Sequence, residues 1–267
     1  KINDLEKKSL VVEGKSLIIE EFKFTSNISH LSMSCDKNNS ILVYCSKENN
    51  IGLFDVKQNN ITSTITNNNL GIIYDCKFSP LDENSLIISA ESKIYLYDIR
   101  KFTQSVHNYC SESKEILSIS WHPSDRNIFC SGSMDNFIGI WDKNNDCSSI
   151  ASFKTSRGCS KVSFLKSNPN YIMSAYQTDN YNIHLWNLKF RDIPEYQFSG
   201  HSNNVIGFDN DVEGKRLISC DKKGGRYFCY FFRLIARNVR KVSYCLALKN
   251  VESKTTFFRA RQLGQKT

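Results

Sequence analysis

Five β-prone runs end in an aromatic residue, and they recur at a nearly constant interval that limits the fold more than any other feature. The runs are Gly52-Leu53-Phe54-Asp55, Tyr95-Leu96-Tyr97-Asp98, Gly139-Ile140-Trp141-Asp142, His184-Leu185-Trp186-Asn187 and Phe228-Cys229-Tyr230-Phe231. From aromatic to aromatic the steps are 97 − 54 = 43, 141 − 97 = 44, 186 − 141 = 45 and 230 − 186 = 44. A unit of about 40–45 residues holds four short strands and their turns. Such a unit cannot bury both of its faces alone, so copies of it must stack.

Two further patterns run in phase with the aromatics. About twenty residues before each lies an apolar strand followed by a turn, as in Tyr74-Asp75-Cys76-Lys77-Phe78-Ser79-Pro80, Leu117-Ser118-Ile119-Ser120-Trp121-His122-Pro123 and Lys161-Val162-Ser163-Phe164-Leu165. Between the two lies another, such as Leu86-Ile87-Ile88-Ser89, Ile128-Phe129-Cys130-Ser131 or Tyr171-Ile172-Met173-Ser174. Met134-Asp135-Asn136 then supplies a tight turn, because Asp and Asn tolerate turn conformations and bond to their own backbone. A more polar fourth strand follows, for example Ser149–Phe153 or Glu195–Phe198.

On these residues, about 28–232, the chain resembles the WD-repeat family. The resemblance implies an all-β propeller of five visible four-stranded blades, with Trp141 and Trp186 on the third strand of theirs. The repeat positions it marks are Phe54, Asp55, Tyr97, Asp98, Asp135, Trp141, Asp142, Trp186, Asn187, Gly200, His201 and Tyr230. The family's His–Ser–Asp–Trp network is incomplete: Trp141 and Asp135 lack a Gly-His pair in their blade. Gly200-His201 is that pair, with Tyr230 standing where the Trp would be. Rings of this kind hold about 4–8 blades, so the ring is small, or open, or preceded by further blades. An open ring leaves strand edges that attract another strand.

Residues 9–24 hold two β-prone runs, Leu10-Val11-Val12 and Leu17-Ile18-Ile19, and read as a hairpin supplying outer strands of a blade. The net charge of +8 is concentrated in residues 233–267. That segment has nine basic residues and one acid, Glu252, so residues 1–232 sum to zero. The tail is expected to be irregular or helical, with 234–248 a helix or two irregular strands, and not a regular blade, because like charges at this density resist compaction. The ten cysteines are scattered without a Cys-x-x-Cys. Free buried thiols are the favoured reading, which fits a reducing, cytoplasmic setting. No run of eighteen apolar residues predicts a membrane span.

Constellations for catalysis are missing. His30, His107, His122, His184 and His201 are isolated, and no His-Glu-x-x-His, Walker loop or Gly-x-Ser-x-Gly occurs. Lys222-Lys223-Gly224-Gly225-Arg226 lacks phosphate-loop spacing and reads as a hairpin turn. No enzyme activity, cofactor or metal is expected. Within the WD-repeat family, the second half is similar to the WD-repeat subunits of SEA/GATOR-type complexes. The residues concerned are Ile116–Pro123 running into Met134-Asp135-Asn136, Ile183–Leu188, and Tyr196–His201 with Val205–Phe208. Those relatives usually carry an aromatic at the place of Asn210. The likeness implies a scaffold in a multiprotein complex regulating TOR signalling, peripheral on the lysosome or vacuole, with protein partners that include another propeller or a donated blade. The alternative is a nucleic-acid- or membrane-surface-associated adaptor acting through the basic tail. The neutral balance of residues 1–232 makes nucleic acid the weaker partner.

Overall fold

A computed structural model describes residues 28–33, 40–46, 49–66, 70–110, 114–145, 148–176, 181–213 and 216–223, together with the backbone of Leu10–Val12, Lys15–Leu17, Arg226–Tyr230, Tyr244–Ala247 and Thr256–Gln262. The chain opens with a hairpin, β1 (Leu10–Val12) and β2 (Lys15–Leu17). Blade 1 is β3 (Ile28–Met33), β4 (Ile41–Ser46), β5 (Asn50–Asp55) and β6 (Asn60–Thr66). Blade 2 is β7 (Ile73–Phe78), β8 (Ser85–Ala90), β9 (Lys93–Asp98) and β10 (His107–Cys110). Blade 3 is β11 (Ile116–Trp121), β12 (Ile128–Ser133), β13 (Phe137–Asp142) and β14 (Ala151–Lys154). Blade 4 is β15 (Cys159–Phe164), β16 (Tyr171–Tyr176), β17 (Ile183–Asn187) and β18 (Tyr196–Phe198). Blade 5 shows three strands among the described residues, β19 (Val205–Asn210), β20 (Arg216–Asp221) and β21 (Arg226–Tyr230). Within each blade, consecutive strands pair antiparallel in chain order.

The repeat is regular at the level of single residues. Each first strand carries a register shift at the same place, between Ile28/His30, Ile73/Asp75, Ile116/Ser118, Cys159/Lys161 and Val205/Gly207. Phe54, Tyr97, Trp141 and Trp186 stand opposite Leu42, Leu86, Phe129 and Ile172. In blade 5 the residue in that place, opposite Leu217, is Cys229; Tyr230 is opposite Arg216. This corrects the placement of Tyr230 at the tryptophan position. The step from Trp186 becomes 229 − 186 = 43 residues. Side chains alternate across a strand, so a slip of one residue moves the aromatic to the other face.

Four hydrophobic clusters form four seams between blades. From the leading blade of the first three seams come the third residue of the second strand and the second and fourth of the third strand. In blade 3 these are Cys130, Ile138 and Ile140. From the following blade come the fourth and sixth residues of its first strand and the repeat aromatic, here Val162, Phe164 and Trp186. The same set recurs in Ile87, Ile94 and Leu96 against Ile119, Trp121 and Trp141, and in Val43, Ile51 and Leu53 against Cys76, Phe78 and Tyr97. Met173, Ile183 and Leu185 meet Val205 and Phe208 in the fourth seam. Gly132 is small because a Cβ there would stand 2.7 Å from Val162 Cγ1 and 2.9 Å from Cys159 Sγ across the seam. Among the described residues no fifth seam joins blade 5 to blade 1.

The tail departs from its expected irregular or helical form at two segments. β22 (Tyr244–Ala247) and β23 (Thr256–Gln262) are antiparallel strands, and β23 pairs with β18, extending the blade 4 sheet to six strands. Tyr244-Cys245-Leu246 and Thr256-Phe257-Phe258 are β-prone despite the surrounding basic residues. An outermost strand such as β18 offers the unpaired backbone groups that recruit them. The rest of residues 233–267, and the Gly224-Gly225 turn, lie outside the described residues.

Candidate functional site

The densest polar site lies where the first strands meet. Adjacent first strands pack side by side, β3 on β7, β7 on β11, β11 on β15 and β15 on β19. Their third residues are His30, Asp75, Ser118, Lys161 and Gly207. Asp75 is buried, and its Oδ2 accepts from Lys161 Nζ at 2.9 Å, Ser118 Oγ at 3.1 Å and the Ile119 amide at 3.3 Å. Its Oδ1 accepts from the Cys76 amide at 3.0 Å and lies 3.5 Å from Lys77 Nζ. Burial alone would raise the Asp75 carboxyl, but the Lys161 and Lys77 ammonium groups outweigh it and hold the pKa below the usual range. Burial lowers that of His30, partly offset by the Asp75 charge, so its imidazole is held neutral. An ion pair from blade 2 to blade 4, skipping blade 3, requires the first strands to curve round a common axis.

The seams carry the sequence interval as hydrogen bonds. Ile119 N reaches Asp75, Trp121 Nε1 donates to the Lys77 carbonyl at 3.0 Å, and Val162 N donates to Ser118 Oγ at 3.3 Å, each 44 residues apart. Asn210 continues the series without an aromatic ring. It is buried, accepting from Lys166 N at 2.8 Å and donating to the Phe164 carbonyl at 3.2 Å. The amide thus replaces the donor role that Trp121 fills two seams earlier.

The repeat positions divide into buried aromatics and turn caps. Phe54, Tyr97, Trp141 and Trp186 are buried. Asp55, Asp98, Asp142 and Asn187 each accept from backbone amides two residues on: Lys57 N, Arg100 N, Asn144 N and Lys189 N. Asp135 accepts from Ser133 Oγ, and Asn136 takes the left-handed turn conformation with φ 73°. Trp141 Nε1 donates to Ser131 Oγ at 2.8 Å, so Trp141 and Asp135 bond to different serines. In blade 5, His201 bonds to Ser219 Oγ at 2.7 Å through Nε2 and to Asp221 Oδ2 at 3.2 Å through Nδ1. A carboxylate only accepts, so Nδ1 carries the proton and Nε2 takes the serine hydroxyl. Gly200 precedes this histidine outside the strands.

Blade 4 holds a network the repeat positions did not mark. Trp186 Nε1 donates to Ser174 Oγ at 2.8 Å, Ser174 Oγ donates to Tyr176 OH at 3.0 Å, and Tyr176 OH meets His184 Nδ1 at 3.1 Å. Burial lowers the His184 pKa to about 4. A histidine lowered from 6.5 binds its proton more readily when unfolded, so stability is full above that value and falls as pH drops towards 4. The shift corresponds to a loss of about 3 kcal/mol. Urea midpoints measured from pH 7.5 to 4.5 are expected to fall with acid, and His184→Gln is expected to flatten that fall. An unchanged slope in the variant would refute the assignment.

Chemically the arrangement holds structure and does not activate a group. Every oxygen of Asp75 is engaged, and the free thiols of Cys45, Cys76, Cys130 and Cys159 are buried. Among the described residues no group of three His, Cys, Asp or Glu could hold a metal ion. No helix among them is long and apolar enough to cross a membrane. Asp75 and Lys161 were not singled out as site residues by the sequence. The available signal was a polar residue two places after the opening residue of the first strand in blades 1–4.

The fold and its repeat define the class: an array of WD-repeat-type propeller blades. The WD domain, G-beta repeat family matches residues 102–142, a unit that starts before the outer strand of blade 2 and ends at Trp141-Asp142 in blade 3. The sequence repeat therefore straddles two sheets and crosses one seam. The chain is similar to the GATOR2 complex protein WDR24 of Dictyostelium discoideum, 31% identical over 122 residues, 46% of this chain and 12% of that protein. It is similar to WDR24 of Gallus gallus, 23% identical over 137 residues, 51% of this chain and 19% of the relative. The protein transport protein SEC31 of Saccharomyces cerevisiae is 24% identical over 169 residues, 57% of this chain and 13% of the relative. The chain thus spans under a fifth of the length of these curated relatives.

Proposed function

We propose that this protein is a non-catalytic interaction scaffold that works inside a multiprotein assembly, of the GATOR2 kind, and acts in nutrient and TOR signalling at the lysosomal or vacuolar surface. The observation that carries the reading is the 122-residue likeness to a protein whose name places it in the GATOR2 complex. The inward polar groups support it, because they are spent on tying blades together. Propeller loops and faces are left to hold partners. A second reading, an adaptor for anionic surfaces, is favoured by one feature, the nine basic residues against one acid in residues 233–267.

Affinity purification of the full chain from its native cells tests the two. The expected result is a fixed set of protein partners that persists at high salt. Binding that collapses with salt, and that is lost when the tail arginines and lysines are changed to glutamine, would favour the adaptor reading instead.

A further inference from the structure

Where blades 2 and 3 meet, the end that carries the turns between second and third strands exposes two large apolar side chains. Ile72, in the linker into β7, is 59% exposed, and Met134, in the turn after β12, is 45% exposed. Backbone hydrogen bonds set the loops between them in one row. The Glu91 amide donates to the Ile72 carbonyl at 3.1 Å, the Ile116 amide to the Glu91 carbonyl at 2.7 Å, and the Met134 amide to the Glu115 carbonyl at 2.9 Å. Tyr74 and Leu117, both half-buried, are the residues that the register shifts of β7 and β11 leave out of the pairing. Glu91 and Glu115 add two carboxylates, and neither forms an ion pair among the described residues. Burial, then the Glu115 and Glu91 charges, raise the Tyr74 hydroxyl pKa, so both carboxylates lie near that side chain. The backbone is shaped to hold one of them. Glu91 takes the left-handed conformation, φ 50°, where the turns of blades 1 and 3 use Asn49 and Asn136. Asparagine tolerates that conformation better than glutamate does. Gly71 leaves the space that the Glu91 side chain fills, since a Cβ there would meet its carboxyl group.

Resting on the scaffold reading above, we infer that Ile72, Tyr74, Leu117 and Met134, with Glu91 and Glu115 among them, form a docking site for an extended segment of a separate partner protein that carries an arginine between apolar side chains. The site states the chemistry of its occupant. Apolar side chains cover Ile72 and Met134. A guanidinium offers its fork of donors to the carboxylates and stacks on a tyrosine ring, which a lysine ammonium does less well. The same carboxylates repel an anionic surface. Blades 1 and 4 already flank the site. β3 packs on β7, and Gly158 in the linker into blade 4 lies against Met134, whose carbonyl would stand 2.9 Å from a Cβ there. Blades added beyond either end of the array would therefore leave the site open. The strand β23 of the chain's own basic tail is engaged elsewhere, on the outer strand of blade 4.

The full chain is panned with a phage library of random heptapeptides, in parallel with a Glu91→Gln, Glu115→Gln double variant. The unaltered chain is expected to enrich peptides with an arginine flanked by apolar residues, and the double variant is not. A synthetic copy of the most enriched peptide should bind the double variant about tenfold or more weakly, and more weakly still at high salt. Ile72→Ser with Met134→Ser should weaken it by about tenfold through lost apolar contact. These side chains lie at the surface, so the variants should keep the thermal midpoint of the unaltered chain. No enrichment, enrichment of peptides without a basic residue, or equal binding to the double variant would overturn the inference. So would enriched peptides that match a segment of this chain and none of a copurified partner. In purification from native cells, full recovery of every partner by the double variant would overturn it and leave the scaffold reading intact. Absence of partners from the unaltered chain would remove both.

Discussion

Asp75→Ala is expected to destabilise the protein by about 3–5 kcal/mol, the usual cost of removing one partner from a buried ion pair. The carboxylate is the acceptor for Lys161 Nζ, Ser118 Oγ and the Ile119 and Cys76 amides, and it lies beside Lys77. Its removal leaves two ammonium groups near one another with no counter-charge. Against a typical total of about 5–15 kcal/mol, that is about a fifth or more of the stability. Asp75→Asn keeps the volume and an acceptor, so it should cost less. Combining Asp75→Asn with Lys161→Met should cost less than the sum of the two, because the second change removes the stranded charge. Urea midpoints at neutral pH measure all three. The effect should persist in high salt, since a buried pair is poorly screened. The pH window follows from the lowered carboxyl pKa. The stabilisation is complete above the unfolded value of 3.8 and is lost as pH falls through the folded one. A loss below about 0.5 kcal/mol for Asp75→Ala would show that blades 2 and 4 are not held together here.

The repeat was legible because one residue per blade always meets the same surroundings. Phe54, Tyr97, Trp141 and Trp186 are large side chains at the same place in their blades' third strands, and their even spacing marks them. Blade 5 misled the count for a physical reason. Phe228-Cys229-Tyr230 places aromatics on both sides of a small residue, and spacing alone does not fix which face each takes. Pairing does, and it puts Cys229 opposite Leu217. The tail misled through its charge. Net charge describes the segment as a whole, whereas strand formation depends on the short runs at 244–247 and 256–262 and on the open edge of β18. Asp75 and Lys161 were hidden for a third reason. Their separation of 86 residues spans two repeats, and only the curvature of the array brings them to 2.9 Å. His184 is isolated in the sequence; its hydrogen-bonded role depends on Tyr176, on the neighbouring strand.

Trp141→Ala is expected to cost about 3–5 kcal/mol, the range for emptying a buried aromatic site. Trp141 is 3% exposed and sits in the seam between blades 2 and 3, not inside one sheet. Its ring lies nearly parallel to Phe129, 8° and 6.3 Å away, and meets Tyr109 edge-on at 6.0 Å. Gly139 makes room for it, since a Cβ there would stand 2.9 Å from Trp141 Nε1 and 3.1 Å from Ser131 Oγ. Trp141→Phe keeps most of the apolar contact and loses the Ser131 hydrogen bond, so it should cost only about 1–2 kcal/mol. Because each blade touches only its neighbours, stability is close to a sum of blade and seam terms. Emptying one seam should therefore uncouple blades 1–2 from blades 3–5, and unfolding should broaden or split into two steps. Trp186→Ala should do the same one seam later, where its ring lies 5.3 Å from Phe153. Denaturation followed by circular dichroism and by hydrogen exchange in each blade separates these outcomes. A single sharp transition with an unchanged midpoint in Trp141→Ala would place the tryptophan outside the seam and undo the assignment of these aromatics as the joints of the array.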